Sequence, residues 1–195
     1  LSAVAFMASC VQTEKVIVTY SELPLGSITP EGWLREKLEL QRDNISKDLD
    51  KTYPQVMGPS NGWLGGDGDQ WERGPYWIDG LLPLAYILDD DSLKEKVKPW
   101  VEWALASQTE DGNFGPRTDY EKVKGIQRTN SLDWWPRMVV LKILQQHYNA
   151  TGDERVIPFM TRYFHYQLDV LDEKPLDHWT FWARYRHADQ MNVAL

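Results

Sequence analysis

The residues best suited to chemistry stand in one glycine-rich segment, residues 61–80. Its glycines break any helical or strand period, and acidic, basic and aromatic side chains lie between them. Carboxylates and a guanidinium can bind sugar hydroxyls, while aromatic rings present flat apolar faces to the C–H side of a sugar. The segment therefore predicts a sugar-binding surface. Its substrate-binding candidates are Trp63, Asp67, Asp69, Trp71, Arg73, Tyr76 and Trp77. The alternative is a turn that caps a buried helix, with the tryptophans in the core.

Two carboxylates of this segment, Glu72 and Asp79, are candidates for catalysis. A glycosidase needs two carboxyl groups beside the scissile bond, one kept protonated by burial and one ionised. We expect Pro75 to begin a helix, which leaves Glu72 just outside it and Asp79 inside. If both were helical, they would share a face about 10 Å apart along the axis, near the upper limit of about 6.5–9.5 Å for an inverting pair. Either could instead bind hydroxyls, and Glu72 could cap the helix or pair with Arg73.

Two further groups of residues are candidates for substrate binding. The first lies where a long loop meets a helix: Arg128, Asp133 and Trp134. The second stands near two more tryptophans, towards the C-terminal end of the sequence: Arg184, Arg186 and Asp189. This second group could line the same pit as the glycine-rich segment, or form ion pairs on a helix surface.

Composition limits the classes of function. The 195 residues are enough for one domain with a real core, and the ten tryptophans indicate a large core, a stacking surface or both. The formal net charge of −8 and the dispersed Lys and Arg argue against a nucleic-acid partner, because no basic stripe exists to release counterions. An oligosaccharide or polysaccharide is the partner that the interleaved acids and aromatics favour. The oligomeric state is left open.

The first ten residues are apolar and rich in small side chains, which is typical of the end of an export signal. The sequence Met7-Ala8-Ser9-Cys10 resembles a bacterial lipoprotein box, in which the cysteine is lipidated. We therefore expect an exported protein, in the periplasm or on the cell surface, attached to a membrane through Cys10, with residues 1–25 as signal remnant and linker. The alternative is a truncated helix with a buried cysteine. A short strand is predicted at residues 16–20.

Helical periodicity predicts an all-α fold after this extended segment. The expected helices cover residues 30–49, with Thr29 as N-cap, then 75–88, a third after Asp91 or Ser92, 131–148, 154–171 and a sixth segment from Pro175. Short and long connections alternate, so the long ones fall on one side of a stack of antiparallel hairpins. This pattern predicts a helical toroid whose inner helices surround a pit. The glycine-rich segment, the loop at 111–116 and the loop before Asp133 would share its rim.

Several motifs resemble the N-terminal half of glycoside hydrolase family 127-type proteins. They are Gly-Ser-Ile-Thr-Pro-Glu-Gly-Trp-Leu at 26–34, Trp-Leu-Gly-Gly at 63–66, Trp-Glu-Arg-Gly-Pro-Tyr-Trp-Ile-Asp-Gly-Leu at 71–81 and Ala-Ser-Gln-Thr-Glu-Asp-Gly-Asn-Phe-Gly-Pro at 106–116. The resemblance implies an (α/α)6 barrel, of which residues 26–195 form the N-terminal half. It also implies an exported, β-L-arabinofuranosidase-like glycoside hydrolase that acts on polysaccharide side chains.

The resemblance further implies a cysteine nucleophile held near zinc by other cysteines and a glutamate, in the second half of the fold. This sequence has only Cys10, far outside the barrel, so neither nucleophile nor zinc ligand is transferred to it. A cysteine cluster beyond Leu195 would restore zinc; otherwise this branch uses a plain carboxylate pair. Two rival functions remain open: a non-catalytic glycan-binding surface protein, and a polysaccharide lyase built on a helical toroid.

Overall fold

The computed structural model describes residues 21–194. Within that range the chain is helical and contains no β-strand, only an isolated bridge between Val123 and Ile126, which confirms the all-α prediction. The predicted strand at 16–20 and Cys10 lie outside the described residues. No helix between residues 21 and 194 combines the length and the apolar character needed to cross a bilayer.

The helices are α1 (Gly32–Asp43), α2 (Leu49–Thr52), α3 (Pro54–Met57), α4 (Arg73–Ile87), α5 (Asp91–Ala106), α6 (Trp134–Thr151), α7 (Val156–Val170) and α8 (Trp182–Ala194), with single turns of 3-10 helix at Ser46–Asp48 and Gly62–Leu64. Helix α6 packs between α4 and α8, while α5 packs against α4 and α7 against α6. The first eight residues of α6 are all buried, because neighbouring helices cover it on every side.

Helix α4 begins two residues earlier than its proline suggested. Arg73 is its first residue and Pro75 its third, so the expectation of Pro75 as the first residue was wrong. A proline is tolerated throughout the first turn, because the N–H groups there have no partner within the helix. Glu72 stands just outside, as predicted, but with helical dihedral angles of φ −79° and ψ −17°. Its carbonyl accepts from Tyr76 N at 2.8 Å, so the helical path extends back to Glu72.

Side-chain caps explain two further shifts of helix starts. Asp133 Oδ1 accepts from Trp135 N at 3.0 Å, which makes Asp133 the N-cap of α6 and moves its start from 131 to Trp134. Asp90, rather than Asp91 or Ser92, caps α5 through the N–H groups of Ser92 and Leu93. In each case an aspartate satisfies N–H groups that the helix leaves unpaired.

The first and last predicted helices were too long. Helix α1 starts at Gly32 after Glu31, so Thr29 is not its cap. It ends at Asp43, because Asn44 leaves the helical conformation, with ψ −103°, and its side-chain amide donates to Leu40 O at 2.7 Å. The segment from Pro175 becomes helical only at Trp182.

The long loops share one rim, as the alternation of loop lengths predicted. Gln70 N donates to Gln127 O at 2.8 Å, and Gly62 N donates to Asp69 O at 2.7 Å. Gly115 has φ +84°, and a Cβ there would lie 2.5 Å from the Trp63 ring, so only glycine permits this contact between the loops. The three loops therefore lie together at the N-terminal ends of α4 and α6.

Candidate functional site

The N-terminal ends of α4, α6 and α8 bring four aromatic rings together. Trp135 is the central ring: its centroid lies 5.2 Å from that of Trp71, 6.1 Å from Tyr76 and 5.5 Å from Trp182. The Arg186 guanidinium carbon lies 5.7 Å from the Trp135 ring centroid. We call Trp71, Tyr76, Trp135 and Trp182 the aromatic cluster. Rings together with an arginine on one surface can stack a sugar and bind its hydroxyls.

Asp133 positions this cluster from beneath. Its Oδ2 accepts from Trp71 Nε1 at 3.1 Å and from Thr180 Oγ1 at 2.7 Å, while its Oδ1 caps α6. The side chain is fully buried, with 0% exposure, so a substrate cannot reach it. The predicted role of Asp133 in substrate binding is therefore wrong, and its observed role is to fix the rings.

A second set of contacts ties α4 to α8. The Tyr76 hydroxyl accepts from Trp135 Nε1 at 3.0 Å and donates to Asp189 Oδ2 at 3.5 Å. Tyr76 is exposed and Asp189 is half-buried, so both can be reached from solvent. Tyr76, Arg186 and Asp189, all predicted from the sequence, therefore lie beside the aromatic cluster.

Glu72, next to Trp71 of the aromatic cluster, is a carboxyl group with a raised pKa. It is half-buried, and its Oε2 is buried without a hydrogen-bond partner among residues 21–194. Burial raises the pKa of Glu72, and the nearby carboxylates of Asp69 and Asp133 raise it further, against a hydrogen bond from its own backbone N–H and the charge of Arg73. Each cause that raises the pKa disfavours the ionised form. Glu72 can therefore hold a proton at a pH where an exposed glutamate would lose it, as a general acid requires.

Asp79 lies on the same face of α4, seven residues after Glu72 and about 10 Å along the axis. Its Oδ2 forms an ion pair with Lys142 Nζ at 2.9 Å, and its Oδ1 accepts from Gln146 Nε2 at 2.9 Å. Both oxygens are engaged by α6, so Asp79 links the two helices. Asp189 on α8, which the sequence predicted, is instead the carboxylate beside the aromatic cluster, with its Oδ2 3.5 Å from the Tyr76 hydroxyl.

Three tryptophans predicted to bind substrate are core residues instead. Trp63 and Trp134 are each 1% exposed and Trp77 is 9% exposed. Their indole N–H groups donate to the backbone carbonyls of Gln70, Lys174 and Ser46. The substrate-binding role predicted for these three residues is wrong, because no ring face is open to a ligand. For Trp63 and Trp77 the alternative interpretation as core residues applies.

Asp69 and Arg73 hold the rim together. Asp69 is 0% exposed and accepts from the Arg73 guanidinium and from Gln127 N at 2.9 Å. Arg73 also donates to Gly125 O at 2.9 Å and to Tyr53 OH at 3.1 Å. Because its carboxylate is buried and paired, Asp69 does not bind substrate as predicted. The two terminal nitrogens of Arg73 are therefore used within the rim, while its Nε has no partner among residues 21–194.

The remaining predicted residues lie outside the aromatic cluster. Arg128 donates to Asp67 O at 2.9 Å and to Glu121 O at 2.8 Å, and its guanidinium lies 5.2 Å from the Tyr120 ring centroid. The Asp67 carboxylate is exposed, 3.9 Å from Arg128. Arg184 is exposed and pairs with Asp177 at 3.1 Å. The structure gives none of the three a contact with the cluster.

In the sequence, Trp135 stands in the same candidate group as Asp133 and Trp134, and Trp182 stands beside Arg184 and Arg186. Neither was singled out from the sequence as a ring that joins the aromatic cluster. The only local signal was Asp133, a good N-cap, which would have placed Trp135 in the first turn of α6. Which of two adjacent tryptophans contacts α4 depends on how α6 is rotated against its neighbours. Trp135 donates to Tyr76, whereas Trp134 donates to Lys174 O in the loop before α8.

A zinc–thiolate centre does not fit the described residues. No group of three His, Cys, Asp or Glu side chains among residues 21–194 could hold a metal ion, and the only cysteine in the sequence is Cys10. We therefore derive no step through zinc.

The raised pKa of Glu72 predicts a pH-dependent cost in stability. The unfolded chain releases this proton near pH 4.3, the folded chain at a higher pH, so the free energy of unfolding falls as pH rises through that window. We expect Glu72→Gln, which does not titrate, to be more stable than the wild type above the window and equal to it below pH 4. Urea unfolding from pH 4 to 8 measures the difference. A difference that is constant with pH would contradict the raised pKa.

Comparison with curated proteins and with solved structures gives no match for this chain. A family model described as "Beta-L-arabinofuranosidase, GH127 catalytic domain" matches residues 9–189, which is most of the 195 residues. The match includes α4, α6 and the first half of α8. The chain belongs to the GH127 β-L-arabinofuranosidase catalytic-domain family.

Proposed function

We propose that this chain forms part of an exported glycoside hydrolase that cleaves glycosidic bonds in polysaccharide side chains, as a β-L-arabinofuranosidase does. The observation that carries the proposal is Glu72, a half-buried carboxyl with a raised pKa and an unpartnered oxygen, close to the aromatic cluster. Family membership supports a carbohydrate substrate. Helices α4, α6 and α8 pack side by side, with α5 against α4 and α7 against α6. This packing supports a partial (α/α)6 toroid.

In this proposal Glu72 donates its proton to the leaving-group oxygen as the glycosidic bond breaks. The aromatic cluster stacks the sugar, and Arg186 and Asp189 bind its hydroxyls. Burial and neighbouring carboxylates raise the pKa of Glu72 and so favour its protonated form, while Asp133 holds the rings in place. The nucleophile is either a carboxylate such as Asp189 or a group outside residues 21–194.

The experiment is to incubate the natural full-length protein with a β-L-arabinofuranosyl disaccharide and identify the products. Release of free L-arabinose supports the hydrolase. Binding of the disaccharide without release would replace this proposal by a glycan-binding protein. An unsaturated product from an acidic polysaccharide would replace it by a lyase, because elimination leaves a double bond where hydrolysis adds water.

We further propose that Cys10 is lipidated and anchors the exported protein, on the basis of the sequence Met7-Ala8-Ser9-Cys10. Metabolic labelling of the natural full-length protein with a radioactive fatty acid is expected to label the wild type. The variant Cys10→Ala should carry no label and leave the membrane fraction. Equal labelling of both proteins would refute lipidation at this residue.

A further inference from the structure

We infer that a cavity on the outer side of the rim binds a single neutral sugar ring. The cavity holds about 160 Å³ and is lined by Gly62, Gly65, Gly66, Gln70, Trp103 and Tyr120, among others. None of its lining residues belongs to the aromatic cluster. Gln70 lines it while Trp71, the next residue, contacts Trp135, so residues 70 and 71 face different sites.

The side chain of Gln70 has a buried acceptor without a partner in the described part of the chain. It is 3% exposed, and its Oε1 is buried without a hydrogen-bond partner among residues 21–194. Its backbone is fully used, since Gln70 N donates to Gln127 O and Gln70 O accepts from Trp63 Nε1 at 2.9 Å. The loop is therefore held without the amide side chain. A buried acceptor is costly to leave unpaired, and a ligand hydroxyl in the cavity would satisfy it.

Trp103 on α5 places an indole ring in the cavity wall. Its ring packs edge-on against Trp63, with centroids 6.2 Å apart, and its Nε1 donates to no acceptor in the part of the chain that the structure describes. Gly65 has φ +85°, and a Cβ there would lie 2.6 Å from Trp103 Nε1. Only glycine lets the backbone approach the indole this closely. The cavity wall therefore offers an indole donor from Trp103, an amide acceptor from Gln70 and aromatic rings.

Size and charge identify the class of ligand. Ligand pockets commonly measure about 300–1,000 Å³, so 160 Å³ suits one ring rather than an oligosaccharide. The one cation in the lining, Arg117, donates to Ser107 O at 3.0 Å, and no carboxylate lines the cavity. A neutral ring with adjacent hydroxyls can accept from Trp103, donate to Gln70 and lie against aromatic carbon.

The test is a nuclear magnetic resonance titration of the full chain with L-arabinose, following the indole N–H signal of Trp103 and the side-chain amide signals of Gln70. Saturable shifts of both are expected. Gln70→Leu should weaken this binding at least tenfold, and Gln70→Met should do the same if Gln70→Leu fails to fold. The control is Gln127→Leu. Gln127 is a neighbouring exposed residue whose backbone makes hydrogen bonds to Gln70 and Asp69, and its side-chain amide makes none with residues 21–194. This variant should bind L-arabinose as the wild type does.

Glu72→Gln separates this inference from the proposed function. It should keep the Trp103 shift even where turnover is lost, because Glu72 does not line the cavity. Absence of a saturable Trp103 shift would overturn the inference. So would unchanged affinity in Gln70→Leu. If the cavity held only water, L-arabinose would cause no shift of the Trp103 signal. In that case Gln70→Leu should also be at least as stable as the wild type.

Discussion

Replacing Glu72 with glutamine is expected to lower kcat by about 10²–10⁴-fold on a substrate whose leaving group is a sugar, with little change in substrate affinity. Glutamine keeps the size of the side chain but has no acidic proton. A sugar alkoxide is a poor leaving group, so its departure depends on a proton at the glycosidic oxygen. The expected loss is therefore in the chemical step rather than in binding.

The leaving group gives this prediction its sharpest control. A nitrophenyl β-L-arabinofuranoside releases a stable anion, so Glu72→Gln should lower its turnover far less than that of the disaccharide. Glu102→Gln is the matched control, because Arg155 pairs with Glu102 and lowers its pKa. That variant should keep wild-type turnover. Equal losses on both substrates in Glu72→Gln, or full activity on the disaccharide, would remove Glu72 from the role of acid.

Replacing Arg137 with methionine is expected to lower the free energy of unfolding by about 3–5 kcal/mol. Arg137 is 1% exposed, and its guanidinium donates to Ser131 O, Asp133 O and Pro116 O at 2.9 Å each and to Asn113 Oδ1 at 3.2 Å. Burial lowers its pKa, and carbonyl dipoles take the place of a carboxylate partner. Methionine would remove four buried hydrogen bonds, and among residues 21–194 only Asn113 Oδ1 would keep a partner outside helix α6, Phe114 N at 2.8 Å. That is a large loss against a total stability of about 5–15 kcal/mol.

Urea unfolding followed by tryptophan fluorescence measures this loss. Arg117→Met is the matched control: Arg117 is exposed and makes one hydrogen bond, to Ser107 O, so a change within about 0.5 kcal/mol is expected. Arg137→Lys should fall between the two, because three donors on one nitrogen cannot reach acceptors at both ends of the 107–133 loop. If Arg137→Met unfolded at the wild-type urea concentration, the guanidinium would not be what holds the loop at 113–116 to the start of α6.

Much of the fold could be predicted because it rests on local signals. Apolar residues at helical spacing located α4 to α7, and the lengths of the connections placed the long loops on one rim. The boundaries were less accurate where a single side chain decides them: Asp133 and Asp90 cap their helices, and Asn44 ends α1. A cap depends on one rotamer and one hydrogen bond, for which the sequence offers several neighbouring candidates.

The candidate site was predicted in part. Glu72, Trp71, Tyr76, Arg186 and Asp189 lie at or beside the aromatic cluster, while Asp69, Asp133, Trp63, Trp77 and Trp134 are buried supports. The same residue types serve both purposes, because an aspartate can pair with a loop as well as with a sugar. Arg137 gave no sequence signal, since nothing local shows that its four acceptors converge.

The sequence by itself determined the helical class, the common rim and the segment in which a carboxyl and aromatic rings stand close together. Only the tertiary structure decided which tryptophans face outward and which carboxyl group has its pKa raised. Periodicity and spacing act within one helix or loop, whereas burial and pKa depend on what α6, α8 and the 107–133 loop bring against that segment.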